Sequence, residues 1–170
     1  PGVMATILLD AHYQSHEHYV MALAREIRKE YALIHARGFV LQVDCPDLAM
    51  GRHTPFRDLD LAGFRDRMEL NVEALNRALV NVPATQVRMH LCWGNYPGPH
   101  HLDVPLQDII DIVWKAKPHA IQFEAANPRH GHEWVLFERV TLPEGKVLIP
   151  GVIECQSNYV EHPDLVAQRI

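Results

Sequence analysis

The sequence predicts an α/β fold, part of a (β/α)8 TIM barrel with about five βα units present. Three observations lead there. Short β-prone runs alternate with longer amphipathic patterns, as the βαβ units of a parallel sheet require. Chemically active side chains collect where the predicted strands end: Asp44, then His90 and Cys92, then Glu124, with Glu154 past the last strand. In such barrels the C-terminal rim carries the chemistry. No GxGxxG stretch follows the first run, which weighs against an open dinucleotide-binding sheet. A complete barrel needs roughly 250 residues, and this chain has 170. We therefore expect a single domain over 1–170 that lacks its barrel's N-terminal strands and its last strand.

The elements follow in order. "VMATILLD" is a short β-prone run ending in Asp10. "SHEHYVMALAREIRKEYALIHARG" reads as an amphipathic helix, with Ser15 as N-cap, Glu17 in the positive first turn and Gly38 as the stop. Tyr19, Leu23, Ile27, Tyr31 and Ile34 recur at helical spacing on one side. "FVLQVDCP" is a strand closed by Pro46. "DLAGFRDRMELNVEALNRALV" is a second helix, whose apolar side carries Phe64, Met68, Leu75 and Leu79. "QVRMHLCW" is the next strand and "PLQDIIDIVWKA" the next helix. "AIQFEAAN" is a strand, "HEWVLFERV" a short helix, "KVLIPGVIE" a strand, and "HPDLVAQRI" begins a helix. Several strands read as apolar on both faces, as expected where both are covered.

Composition narrows the function. A formal charge of −5 and the absence of a basic stripe with interleaved aromatics argue against nucleic acid. No run of about eighteen apolar residues offers a membrane span, and no charged-then-apolar leader is seen. Three widely spaced cysteines make no disulfide framework, which suits a reducing, cytoplasmic compartment. Twelve histidines against sixteen lysines and arginines raise the prospect of metal or acid–base chemistry.

"MHLCWGN" gives that prospect a place. Strand side chains alternate faces, so His90 and Cys92 point one way while Met89, Leu91 and Trp93 point the other. With Glu124 at the matching end of the neighbouring strand, nitrogen, sulfur and oxygen donors are available for zinc, and such a mixture disfavours magnesium or calcium. The plainer reading is a small buried thiol beside a hydrogen-bonded histidine. Asp44 is either a substrate-binding carboxylate or a cap for the turn into "PDLAMGRH". Arg52 and His53 could hold an anionic group of a substrate, or lie in a solvated loop. His100 and His101, in "YPGPHH", belong to a loop that covers the site. Cys45 and Cys155 read as free packing thiols, and the H-x-H of "NPRHGHEW" as loop residues that bind no metal.

Taken together, these residues resemble the catalytic-domain family of cobalamin-independent methionine synthase. "PGVMATILL" resembles that family's substrate-cradling strand, and "LQVDCPDLAM" its strand ending in Ile-Asp-Glu-Pro-Ala-Leu. "MHLCWGN" resembles its His-x-Cys zinc strand, "IQFEAAN" its glutamate-bearing strand, and "IPGVIECQSN" its Pro-Gly-Val strand. The order is the same in both. The resemblance implies a TIM barrel of the methionine-synthase and uroporphyrinogen-decarboxylase-like type, with zinc as cofactor on His90, Cys92 and Glu124. It also implies that Asp44 is a catalytic, amino-group-binding residue.

Two departures set this sequence apart. The family's fourth ligand, a cysteine in a later Asp-Cys-Gly segment, has no counterpart here. Its histidine proton donor is replaced by Gln156. The long "WGNYPGPHHLDVP" loop suggests a different substrate. The implied function is zinc-dependent methyl or other alkyl transfer to a small-molecule thiol. When full length, the protein would be similar to 5-methyltetrahydropteroyltriglutamate–homocysteine methyltransferase of methionine biosynthesis; without the fourth ligand this chain is expected to bind zinc weakly and to be inactive alone. Its small-molecule partners would be a thiol and an alkyl donor, and exposed sheet edges would make it a homo-oligomer. The alternatives are a metal-independent lyase or decarboxylase on the same barrel, using Asp44 and Arg52, and a metal-binding domain without turnover.

Overall fold

Four strands lie side by side in chain order in one parallel sheet: β1 (Leu41–Asp44), β2 (Val87–Leu91), β3 (Ala120–Glu124) and β4 (Val147–Gly151). The computed structural model describes residues 1–170. Parallel neighbours cannot be joined by a tight turn, so each strand returns through a crossover. The helices are α1 (Gly2–Ile7), α2 (His16–Ala36), α3 (Asp47–Met50), α4 (Leu61–Ala78), α5 (Ile110–Val113) and α6 (Pro163–Arg169). The result is an α/β fold with a parallel sheet, in keeping with part of an α/β barrel. No helix is long and apolar enough to cross a membrane.

The two long helices form where the sequence places them. Ser15 Oγ accepts the His18 N–H at 3.2 Å, and Asp60 Oδ1 accepts the Gly63 N–H at 2.8 Å, so each N-terminus has its cap. Beyond α2, Gly38 takes φ +82°, the left-handed stop that glycine permits. Phe64, Met68 and Leu75 of α4, with Leu79 at its C-cap, are all buried in the main core beside the strand residues. The expected face of α2, by contrast, is only half-buried. Its buried contact with α4 includes a cluster of short side chains, Val20 and Ala24 with Ala74 and Ala78.

The first run is not a strand. Residues 2–7 form α1, with Thr6 Oγ1 donating back to the Gly2 carbonyl at 2.8 Å. Gly2 and Ala5, one turn apart, are buried, Ala5 against the small-residue seam of α2 and α4. Ile7 and Leu9 are 69% and 98% exposed. The β-prone residues of the run therefore do not make its core, and a short apolar run carries no period that separates helix from strand. The sheet accordingly has four strands where five were expected.

Nor are the strands apolar on both faces. Val43, Met89, Leu91, Ile121 and Phe123 pack into the main core, while Gln42, Asp44, Arg88, His90, Gln122 and Glu124 alternate with them on the other face. Helices cover one side only, so the period is that of a half-buried sheet. The segment expected as a helix at 105–116 is shorter, a 3-10 turn (Leu106–Asp108) leading into the single turn of α5. Residues 133–138 are 3-10 as well. The β-branched Ile109, Ile110, Ile112 and Val113 are all buried there, and packing rather than helix propensity holds them.

Candidate functional site

Register brings the polar residues together. Asp44 pairs with His90, and His90 with Gln122, so all three share one row of the uncovered face. Leu91 pairs with Phe123, which sets Cys92 level with Glu124 one step on. The Cys45 N–H donates to the His90 carbonyl at 2.9 Å and carries the pairing past the end of β1. After Cys92 the chain turns at Gly94, whose φ is +86°. A Cβ there would also stand 2.7 Å from Met50 Sδ, a flexible side chain that could shift, so the positive φ is what favours glycine.

One ligand atom each from Asp44, His90 and Cys92 lie within 4.8 Å of one another. Glu124 faces the same cavity as His90 and Cys92, a space of about 200 Å³, but stands outside that closest group. Its carboxylate is held by two side-chain amides. Gln156 Nε2 donates to Glu124 Oε1 at 3.0 Å, and the Asn127 amide donates to Oε2. Gln156 Nε2 also reaches the Gly94 carbonyl at 3.3 Å, while its Oε1 accepts from Arg129. At the position where the resembled family has a histidine, this chain thus has an amide that positions Glu124.

Burial dominates the electrostatics of the cavity. Burial pushes the Cys92 thiol up to about 11; the nearby Asp44 and Glu124 carboxylates add to this, and a hydrogen bond from the Gly94 backbone opposes it. Burial also raises the Glu124 carboxyl, against the pull of His130, Arg129 and His90. A divalent cation reverses every one of these penalties. The donors are imidazole, thiolate and carboxylate, the set zinc accepts, so the residues present fit that ion.

Arg52, His53, His100 and His101 lie away from that cavity, whereas Glu154 and Cys155 line it. Arg52 and His53 occupy a 3-10 turn (Gly51–His53), and neither lines the cavity of His90 and Cys92. His53 Nε2 pairs instead with Asp103 Oδ1 at 2.8 Å. His100, from the loop expected to cover the site, folds onto the same aspartate, while His101 is exposed. Glu154 stabilises its own loop, accepting the Gln156 and Ser157 N–H groups at 2.7 Å each. Cys45 packs in the core as expected. Cys155 does not: it is exposed and lines the cavity. All three thiols are free.

Sequence reasoning missed the partners that hold these groups. Asn127 grips Glu124 from three residues away, a local signal present in "EAAN". His130, half of the discounted H-x-H, is buried and stacked on Trp93 with ring centroids 3.7 Å apart. Its bond to Asp103 spans 27 residues, beyond any local spacing rule.

Compared with known proteins, the chain is similar to a methionine synthase of Thermococcus kodakarensis, at 29% identity over 171 aligned positions. That alignment takes in all of this chain and 43% of the relative, so the chain spans less than half the length of the curated relative it matches. No family model matches, and no solved structure matches.

Proposed function

We propose that this chain forms part of a zinc-dependent methyltransferase-like enzyme that transfers an alkyl group to a small-molecule thiol in the cytoplasm. One observation carries the reading. Asp44, His90 and Cys92 converge at the C-terminal ends of adjacent parallel strands, on the face no helix covers. The similarity to a methionine synthase supports it.

His90, Cys92 and Glu124 would hold the zinc, with Asp44 close enough to approach either the ion or the substrate's amino group. Zinc, when bound, supplies the positive charge that lets a substrate thiol ionise at neutral pH, where a free thiol of pKa about 8.5 is mostly protonated. The chain's own residues do the rest. Asp44, more exposed than His90 or Cys92, offers a carboxylate that orients a cationic amino group beside them. Gln156 and Asn127 fix Glu124 in one rotamer, as residues behind a ligand do in metal sites. Gln156 has no proton to exchange near neutral pH, so it positions groups and does not relay protons.

Metal analysis of the protein, followed by a thiol-alkylation assay with candidate methyl donors, tests this reading. Zinc is expected to copurify, and Cys92→Ser to lower its occupancy more than tenfold. Full zinc in that variant would remove Cys92 from the site. Activity indifferent to chelators would favour a metal-independent lyase instead.

A further inference from the structure

Away from that cavity, three loops at the same rim close on one carboxylate. We propose that His53, His100 and Asp103 form a second site for a first-row divalent cation, built from two imidazoles and one carboxylate and free of sulfur. Their ligand atoms lie within 4.8 Å of one another. His53 Nε2 is 2.8 Å from Asp103 Oδ1, and His100 Nδ1 is 3.0 Å from Oδ2 and 3.1 Å from Oδ1. The three side chains are only 8%, 4% and 10% exposed, so the cluster is a built interior feature.

The geometry of His100 suits a cation. Its Nε2 faces the Tyr96 carbonyl at 3.3 Å, an atom that can only accept, so Nε2 is the donor there. Nδ1 is left facing the Asp103 oxygens, where a neutral ring offers its lone pair to a cation held between ring and carboxylate, and an imidazolium donates to the carboxylate in the cation's place. Aromatic contacts also restrain both rings. Tyr96 stacks on His100 with centroids 4.3 Å apart and meets the edge of His53 at 5.6 Å.

Behind the cluster, His130 Nε2 reaches Asp103 Oδ2 at 2.7 Å and His130 Nδ1 faces Glu133 Oε2 at 3.3 Å. Stacking on Trp93 fixes the ring of His130, and Trp93 Nε1 donates to the Val104 carbonyl at 2.7 Å. This is the outer support that orients a ligating carboxylate. Three protein ligands leave at least one coordination position for water or another small molecule. Such an ion would clasp the turn after β1 to the loop after β2, with His130 joining the loop after β3.

Cobalt(II) titration with equilibrium dialysis tests the proposal, because sulfur ligation adds a thiolate charge-transfer band that a nitrogen–oxygen site lacks. The Cys92→Ser protein is expected to bind one cobalt without that band. Adding His53→Gln or Asp103→Asn to it is expected to weaken binding at least tenfold, and His130→Gln in the same background to weaken it 10- to 100-fold. Absence of bound cobalt in the Cys92→Ser protein overturns the proposal, as does full binding in the Cys92→Ser/His53→Gln double variant. In the unaltered chain, a sulfur-free cobalt as the sole ion would sink the proposed alkyl-transfer site and leave this one standing. Circular dichroism of each variant keeps loss of fold separate from loss of ligand.

Discussion

Gln156 and Glu124 meet across 32 residues of sequence, Nε2 to Oε1 at 3.0 Å, and so tie the loop after β4 to the end of β3. The same amide nitrogen reaches the Gly94 carbonyl. A single side chain thereby sets the distance between Glu124 and the turn that follows Cys92.

Replacing Gln156 with alanine should therefore loosen Glu124 without removing any proposed ligand. We expect zinc affinity to fall 10- to 100-fold, the usual effect of losing a support behind a ligand. Competition with a chromophoric chelator reads the change. Unaltered affinity would show that Glu124 is held well enough by Asn127 alone.

Gly94→Ala should disturb the same turn from the backbone side. Its φ of +86° costs an L-residue about 1–2 kcal/mol, and the new methyl group would press on Met50 Sδ. Urea unfolding should show that loss. Adding Met50→Ala should recover the steric part and leave the dihedral part.

The Asp47 carboxyl predicts a pH dependence. Burial pushes it up to about 6, although a hydrogen bond from Asn71 Nδ2 at 2.8 Å pulls the other way. A carboxyl raised in the folded state binds its proton more tightly there than in the unfolded chain. Its contribution is therefore full below about pH 4 and is lost as pH rises to about 6, by up to about 3 kcal/mol. The stability difference between Asp47→Asn and the unaltered protein should grow in the variant's favour over that interval. A difference flat with pH would contradict the assignment.

Phe64→Ala removes a ring that is fully buried between α4 and the sheet. The expected cost is about 3–5 kcal/mol, read as a lower urea midpoint with unchanged slope.

Self-association is expected at the β1 edge, where the unpaired side of Leu41–Asp44 follows the exposed Phe39 and Val40. β4, the other edge, carries Pro150 and so presents fewer donors. Sedimentation should show a concentration-dependent dimer that Val40→Lys disperses. A stable monomer across a wide concentration range would refute this.

What the sequence reveals depends on how far apart partners lie along the chain. The long helices are legible because their caps and apolar faces repeat within a few residues, as at Ser15 and from Phe64 to Leu79. His90 and Cys92 are legible because a strand's period of two is local. Their meeting with Asp44 needs the register of β1 on β2, which follows only from a parallel sheet. The first run misleads because Ile7, Leu8 and Leu9 are apolar yet exposed, while the buried contacts fall to Gly2 and Ala5. Asp103 is invisible because His53 stands 50 residues before it and His130 27 residues after, each on a loop without a period.

Gln42 and Arg88, paired below the row of Asp44, His90 and Gln122, join the Gln122 amide in giving the open side of the sheet a polar floor. A visitor settling there must displace water already well bonded to amides and a guanidinium. Molecules bearing their own complementary donors and acceptors lose little in that exchange, whereas a greasy molecule of equal size loses much. The sheet thus sorts its visitors by polarity before any reacting group is reached.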